Sequence, residues 1–174
     1  MFRLSKVADY GIIILARFAQ DTRVPARETS PPTSPSLTAR EVAERVELPL
    51  PIVSKVLKTL TRAGVLSSHR GVKGGYSLAL RPSELSVADM ITALDGPLAL
   101  TQCNLGPHVC DLEQNCSVKG PWLVINNVVH SALASVTLAD LTNPAFAEQP
   151  GPLLGLAGWG AVSAHQPSAV DEVN

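Results

Sequence analysis

Pro51-Ile-Val-Ser-Lys-Val-Leu-Lys-Thr-Leu-Thr-Arg-Ala63, closed by Gly64, runs into Val65-Leu-Ser-Ser-His-Arg70, Gly71-Val-Lys-Gly-Gly75 and Tyr76-Ser-Leu-Ala-Leu80. The first part has a helical period. Ile52, Val53, Val56, Leu57 and Leu60 share one arc, and Lys55, Lys58 and Arg62 cluster opposite at i, i+3 and i+7. Pro51 suits the first position of such a helix and Gly64 its end. The second part reads as two strands, Val65–Arg70 and Tyr76–Leu80, joined by a turn whose glycines permit positive φ.

Upstream, Thr38-Ala-Arg-Glu41 has the spacing of a capping box and opens a short helix with Ala39, Val42, Ala43 and Val46 facing inward. Glu47-Leu-Pro-Leu50 is the turn between the two helices. Two short helices and a glycine-rich hairpin make a winged helix-turn-helix. In that arrangement one face of the second helix holds it on the domain and the other enters the major groove of DNA. Ser54 and Lys55 lie near its N-terminal end, where side chains reach base edges, and Lys can donate to guanine N7 and O6. Lys58 and Arg62 are placed for phosphate. Taken alone, this helix reads equally well as an amphipathic helix with a solvated basic face. The hairpin separates the readings: His69, Arg70 and Lys73 crowd a wing that can approach phosphate or a narrow minor groove. His69 by itself carries little of that signal.

Charge placement agrees. The chain has 14 Lys and Arg against 15 Asp and Glu, a net charge of −1. Yet Leu48–Ser83 holds six basic residues (Lys55, Lys58, Arg62, Arg70, Lys73, Arg81) and no acidic one. After Arg81 a single basic residue, Lys119, faces nine acidic ones. One positive face on a neutral protein follows, and the expected partner is double-stranded DNA.

Further out, Ser5 is placed to cap a first helix to about Gln20, with Val7, Gly11, Ile14 and Phe18 on one face. Thr22–Leu37 contains four prolines and reads as an extended loop. Ser86-Val-Ala-Asp89 caps a helix that ends at Asp95-Gly96-Pro97. Leu98–Gly120 is a loop. Gly120-Pro121 starts a long helix, Pro121–Val136, with Trp122, Ile125, Val129, Ala132 and Val136 in a stripe. Thr137-Leu-Ala-Asp140 caps a last short turn, and the tail from Asn143 is expected to carry little stable structure. The expected organisation is a DNA-binding domain over 1–97, a loop over 98–120, a helix and cap over 121–142 and a tail over 143–174. The fold class is mainly α with a small β wing. The N-terminus has no signal-peptide pattern and no stretch is apolar enough to span a membrane, so a cytoplasmic protein is expected.

The loop contains all 3 cysteines, spaced Cys103-x6-Cys110-x5-Cys116. Zinc knuckles usually contain a C-x2–4-C pair and thioredoxin-like sites a C-x-x-C; neither is present. Three soft thiolates in one loop suit an iron–sulfur cluster, [2Fe–2S] or [4Fe–4S]. The alternative reading of this spacing is three loop thiols with no partner. A cluster calls for a fourth ligand, and Asp9, His108, Asp111, Glu113 and His130 are available. An enzyme is not expected: no cysteine sits at a helix start beside a histidine base, and Gly71–Gly75 lacks the Gly-Lys-Ser/Thr ending of a P-loop.

Taken together, several motifs resemble the IscR-like iron–sulfur-sensing winged-helix repressors, especially the branch that regulates the SUF cluster-assembly operon. They are Arg3-Leu-Ser-Lys-Val-Ala-Asp-Tyr-Gly11, Val53-Ser-Lys-Val-Leu-Lys58, Ala63-Gly-Val-Leu66, Arg70-Gly-Val-Lys-Gly-Gly-Tyr-Ser-Leu-Ala79, Ser86-Val-Ala-Asp-Met-Ile91, Leu94-Asp-Gly-Pro97, the cysteines and Gly120-Pro-Trp122. The likeness covers residues 1–142. It implies a homodimer joined through Pro121–Val136, and one cluster per subunit on Cys103, Cys110 and Cys116. It also implies a holo form that represses SUF genes. Some members take a histidine three residues after the last cysteine as fourth ligand; here that residue is Lys119. Others take an acidic residue near the start of the first helix of the partner, the position of Asp9. The Thr22–Leu37 insertion and the tail depart from the family pattern. A rival expectation keeps the DNA-binding domain but replaces the cluster with a reversible disulfide among the same cysteines.

Overall fold

The computed structural model describes residues 4–21, 36–71 and 74–148. In chain order the helices are α1 (Lys6–Asp21), α2 (Ala39–Val46), α3 (Leu50–Arg62), α4 (Val87–Asp95), α5 (Lys119–Ala134) and α6 (Leu138–Leu141). Strands β1 (Leu66–His69) and β2 (Gly75–Leu78) form the wing between α3 and α4. The architecture is mainly helical with a two-stranded antiparallel sheet, as the sequence leads one to expect.

Local chemistry sets the helix starts. Ser5 Oγ accepts the Ala8 N–H at 3.1 Å, so it caps α1. The same hydroxyl and the Ser5 N–H donate to Asp95, tying the start of α1 to the end of α4. Reciprocal capping boxes at Thr38/Glu41, Ser86/Asp89 and Thr137/Asp140 open α2, α4 and α6.

The core forms where these helices meet. Ile14, Leu15 and Phe18 of α1, Val42 of α2, Val53, Val56, Leu57 and Leu60 of α3, and Met90 of α4 are closed off from solvent. Leu66 and Leu78 of the wing, and Leu138 of α6, complete it. Gly11 sits in the α1 stripe where the Leu94 side chain of α4 packs down on it, so a Cβ there would push Leu94 aside.

The wing pairs Leu66 with Leu78 and His69 with Gly75. Leu37 lies along the outer edge of β2, exchanging two backbone hydrogen bonds with Tyr76 (2.9 and 2.8 Å). This contact explains Gly75, where a Cβ would meet the Leu37 carbonyl at 2.6 Å. Gly71 carries the turn with a positive φ of 108°.

Several boundaries differ from expectation. Helix α3 begins at Leu50, with Pro49 as its N-cap, so Pro51 is second rather than first. Ile52 is not in the buried arc; it is 36% exposed. Both strands are shorter than the apolar pattern suggests. Helix α5 starts two residues early and stops at Ala134. The segment just after it is stitched to the start of α4: Val87 donates to the Val136 carbonyl and Leu138 to that of Leu85, both at 2.8 Å. Pro144–Glu148 adds a 3₁₀ turn inside the segment expected to lack structure. Most of the proline-rich insertion, Lys73 and the tail beyond 148 lie outside the described residues.

Candidate nucleic-acid interface and cysteine site

The turn between α2 and α3 is tight because Glu47 adopts the left-handed conformation (φ 55°, ψ 37°) and returns its N–H to the Ala43 carbonyl. The chain then enters α3 through Pro49. Burial of Val53, Val56, Leu57 and Leu60 turns Lys55, Lys58 and Arg62 outward together. None of these three cations has an ion-pair partner among the described residues. Ser54 is half-buried beside them. Thr59 and Thr61 spend their hydroxyls on the Lys55 and Leu57 carbonyls, so they belong to the helix.

In the wing, Arg70 is exposed next to Gly71. The His69 ring Nε2 is 2.9 Å from Ser77 Oγ, which braces the hairpin from within. Arg81 is spent locally: Nη2 and Nε both donate to Glu84 Oε1, at 2.7 and 3.0 Å. Of the six basic residues between Leu48 and Ser83, it therefore drops out of the positive face. Sequence reasoning also missed that Leu50, Pro51 and Ile52 stand exposed at the start of that face. The helical angle of Ile52, about a quarter turn from the centre of the buried arc, was the available signal.

The cysteine site begins with a 3₁₀ turn, Gln102–Asn104, that packs on α5. Asn126, the one buried residue of α5, fastens it: its Oδ1 accepts the Leu100 N–H at 3.0 Å and its Nδ2 donates to the Leu98 carbonyl at 3.4 Å. Cys103 Sγ lies 3.0 Å from Thr101 Oγ1. Further on, Glu113 joins the loop to α5. One carboxylate oxygen accepts the His108 N–H at 2.6 Å and the other accepts from Lys119 Nζ at 2.7 Å. The Lys119 ammonium, then the His108 N–H, hold the Glu113 carboxyl below its ordinary range. Glu113 in turn raises Lys119, with smaller contributions from the negative potential of Cys103 and Cys110. The residue at the family's histidine position is thus a cation held by Glu113.

All three cysteines are free and half-buried. Asp9 is exposed on the first turn of α1, and its carboxylate has no partner among the described residues. His108, Asp111 and His130 are exposed, and Glu113 is engaged. Among the described residues, no three His, Cys, Asp or Glu gather closely enough to hold a metal ion. Three soft thiols in one loop have the donor chemistry of an iron–sulfur site.

The Rrf2 model, described as an iron-dependent transcriptional regulator, matches residues 4–144. The chain belongs to the Rrf2 family. Among Rrf2-like relatives, slr0846 of Synechocystis sp., itself an inferred helix-turn-helix-type regulator, is 35% identical over 107 residues, 60% of this chain and 69% of that protein. The HTH-type transcriptional regulator IscR of Aliivibrio salmonicida is 30% identical over 101 residues, 58% of this chain. That match spans only 60% of the IscR length. Among solved structures, T. potens IscR aligns with a TM-score of 0.59 at 26% identity, over 85% of this chain and 91% of that one. CymR, the global cysteine regulator of B. subtilis, aligns with a TM-score of 0.60 at 23% identity, over 82% and 97%. The CymR likeness speaks to the fold, a winged helix. This Rrf2 protein is an IscR-like, DNA-binding transcriptional regulator. Among the described residues, no helix is long and apolar enough to cross a membrane.

Proposed function

We propose that the protein is a homodimeric repressor of SUF iron–sulfur cluster-assembly genes whose DNA affinity is set by an iron–sulfur cluster. The observation that carries this reading is the pairing of three free thiols with an α5 whose apolar side is uncovered. Trp122 is 37% and Ile125 40% exposed, at positions that a dimer would bury. Cys103, Cys110 and Cys116 would hold the cluster, and Asp9 of the partner subunit would complete it. When bound, the cluster supplies a charge and a cross-link that oxidants or nitric oxide can remove. A carboxylate is a harder ligand than a thiolate, so the Asp9 bond would be the labile one.

The chain's own residues do the rest. Ser54 and Lys55 face base edges, Lys58 and Arg62 face phosphate, and Arg70, with His69 and Lys73, places the wing on the backbone. Two α3 helices would enter successive major-groove faces about 34 Å apart, or a multiple of that. Asn126 and the stitch between α4 and α5 carry any shift of the cysteine loop to the winged domain. Coupling of ~1–3 kcal/mol gives a 5–150-fold switch.

The test is anaerobic purification with absorption spectroscopy and native mass spectrometry, on wild type and Asp9→Ala. Bound iron and sulfide in the wild type, with faster loss in Asp9→Ala, is the expected result. Equal retention in both would remove Asp9 from the ligand set. A second reading rests on the three free, half-buried thiols of one loop: a metal-free thiol switch. There two of the cysteines would close a disulfide, giving two protons and two electrons to a peroxide. A colourless, iron-free protein whose DNA binding changes on oxidation would establish it.

A further inference from the structure

The first turn of α3 carries no hydrogen-bonding side chain. Leu50 is 40% exposed, Ile52 36%, and Pro51 between them is also exposed. The backbone there is equally short of donors. Pro51 has no N–H, and the Ile52 and Val53 N–H groups are both taken by the Pro49 carbonyl, at 3.0 and 3.2 Å. A helix start normally offers several free N–H groups to phosphate; this one keeps only that of Leu50. Pro51 stands one turn ahead of Lys55, in the centre of the stripe that Lys55, Lys58 and Arg62 form. Leu50 and Ile52 flank it.

The N-terminal residues of a recognition helix are the ones that reach base edges. In the major groove the sole apolar feature of a base pair is the C5-methyl of thymine. We propose that Leu50, Pro51 and Ile52 form an apolar thymine reader, one turn before the cationic contacts begin. The apolar turn would select an A·T pair by its methyl group, with Ser54 and Lys55 reading the neighbouring pairs. A patch of this kind on a free surface would stay exposed to water at a cost. Beside three unpaired cations aimed at a polyanion, it has a surface to cover it. The proposal rests on the DNA-binding reading of α3.

The full-length protein is used to select an operator from a pool of randomised duplexes. The operator is then resynthesised with deoxyuridine replacing each thymidine in turn, which removes only the methyl. One thymine in each half-site should lose about fourfold in affinity, the value of one buried methyl. In Leu50→Ser/Pro51→Ser/Ile52→Ser the two bases should bind alike, while the salt dependence set by Lys58 and Arg62 persists. Leu50→Met/Ile52→Leu should keep the methyl preference, which separates loss of reading from loss of fold. Methyl-independent binding by the wild type, or a preference that survives the triple substitution, overturns the proposal and leaves the DNA-binding reading intact. Recovery of no operator at all overturns both.

Discussion

Two parts of one chain solve opposite problems. The winged domain closes its core: Ile14, Leu57, Leu60 and Met90 are sealed. The stretch from Leu105 to Ile125 does the reverse. Leu112 is 71% exposed, Val109, Val118 and Val124 stand in solvent, and α5 buries only Asn126. The first part is finished within a single chain. The second holds its apolar side chains ready for something outside it, and its loop is kept in shape by polar bonds instead. Burial drives the one, and hydrogen bonds with an ion pair hold the other.

That contrast can be tested by substitution. The largest effect should come from the finished part. Leu57→Ala should cost about 2–5 kcal/mol, read as a lowered urea midpoint with the slope unchanged. Trp122→Ser/Ile125→Ser should leave the far-ultraviolet circular dichroism of the winged domain in place. It should weaken self-association by tenfold or more in sedimentation equilibrium, as buried anchors of an interface do. Helicity lost with those two residues would show that α5 is part of the core after all.

The smallest effect concerns the Glu113 clamp and pH. Glu113 has its pKa lowered in the folded state, so its contribution is fully present above the ordinary value of 4.5. It fades as pH falls below that and is lost once pH passes under the folded value. Thermal melts of wild type and Glu113→Gln should therefore differ at neutral pH and converge in acid. Because the pair is only half-buried and solvent still screens it, the gap should be small.

Much of the finished part was legible because its signals are local. A capping box is four consecutive residues, and Thr38/Glu41, Ser86/Asp89 and Thr137/Asp140 all appear where the sequence puts them. The basic face of α3 follows from helical period alone. What could not be read depends on distant neighbours. Gly75 looks like a turn glycine until Leu37 is seen beside it. Arg81 counts towards a positive face until Glu84 neutralises it. Ile52 joins the apolar arc on paper because a letter does not say how wide the buried sector is. At the cysteine site, spacing identifies three donors but not their approach. Lys119 could be read there only as a missing histidine, since its pairing with Glu113 crosses the loop.

Asn126 has a mechanical meaning. Cys103 lies three residues beyond its anchor at Leu100, and Cys116 three residues before α5 begins at Lys119. The loop is a bow strung at both ends on one rod. A change in its middle, around Cys110, would pull on both ends at once. The far end of that rod is knotted to the start of α4 through Val136 and Val87. Under the proposed switch, strain raised at the thiols would pass along α5 towards the winged domain, and replacing Asn126 would let the bow slip first.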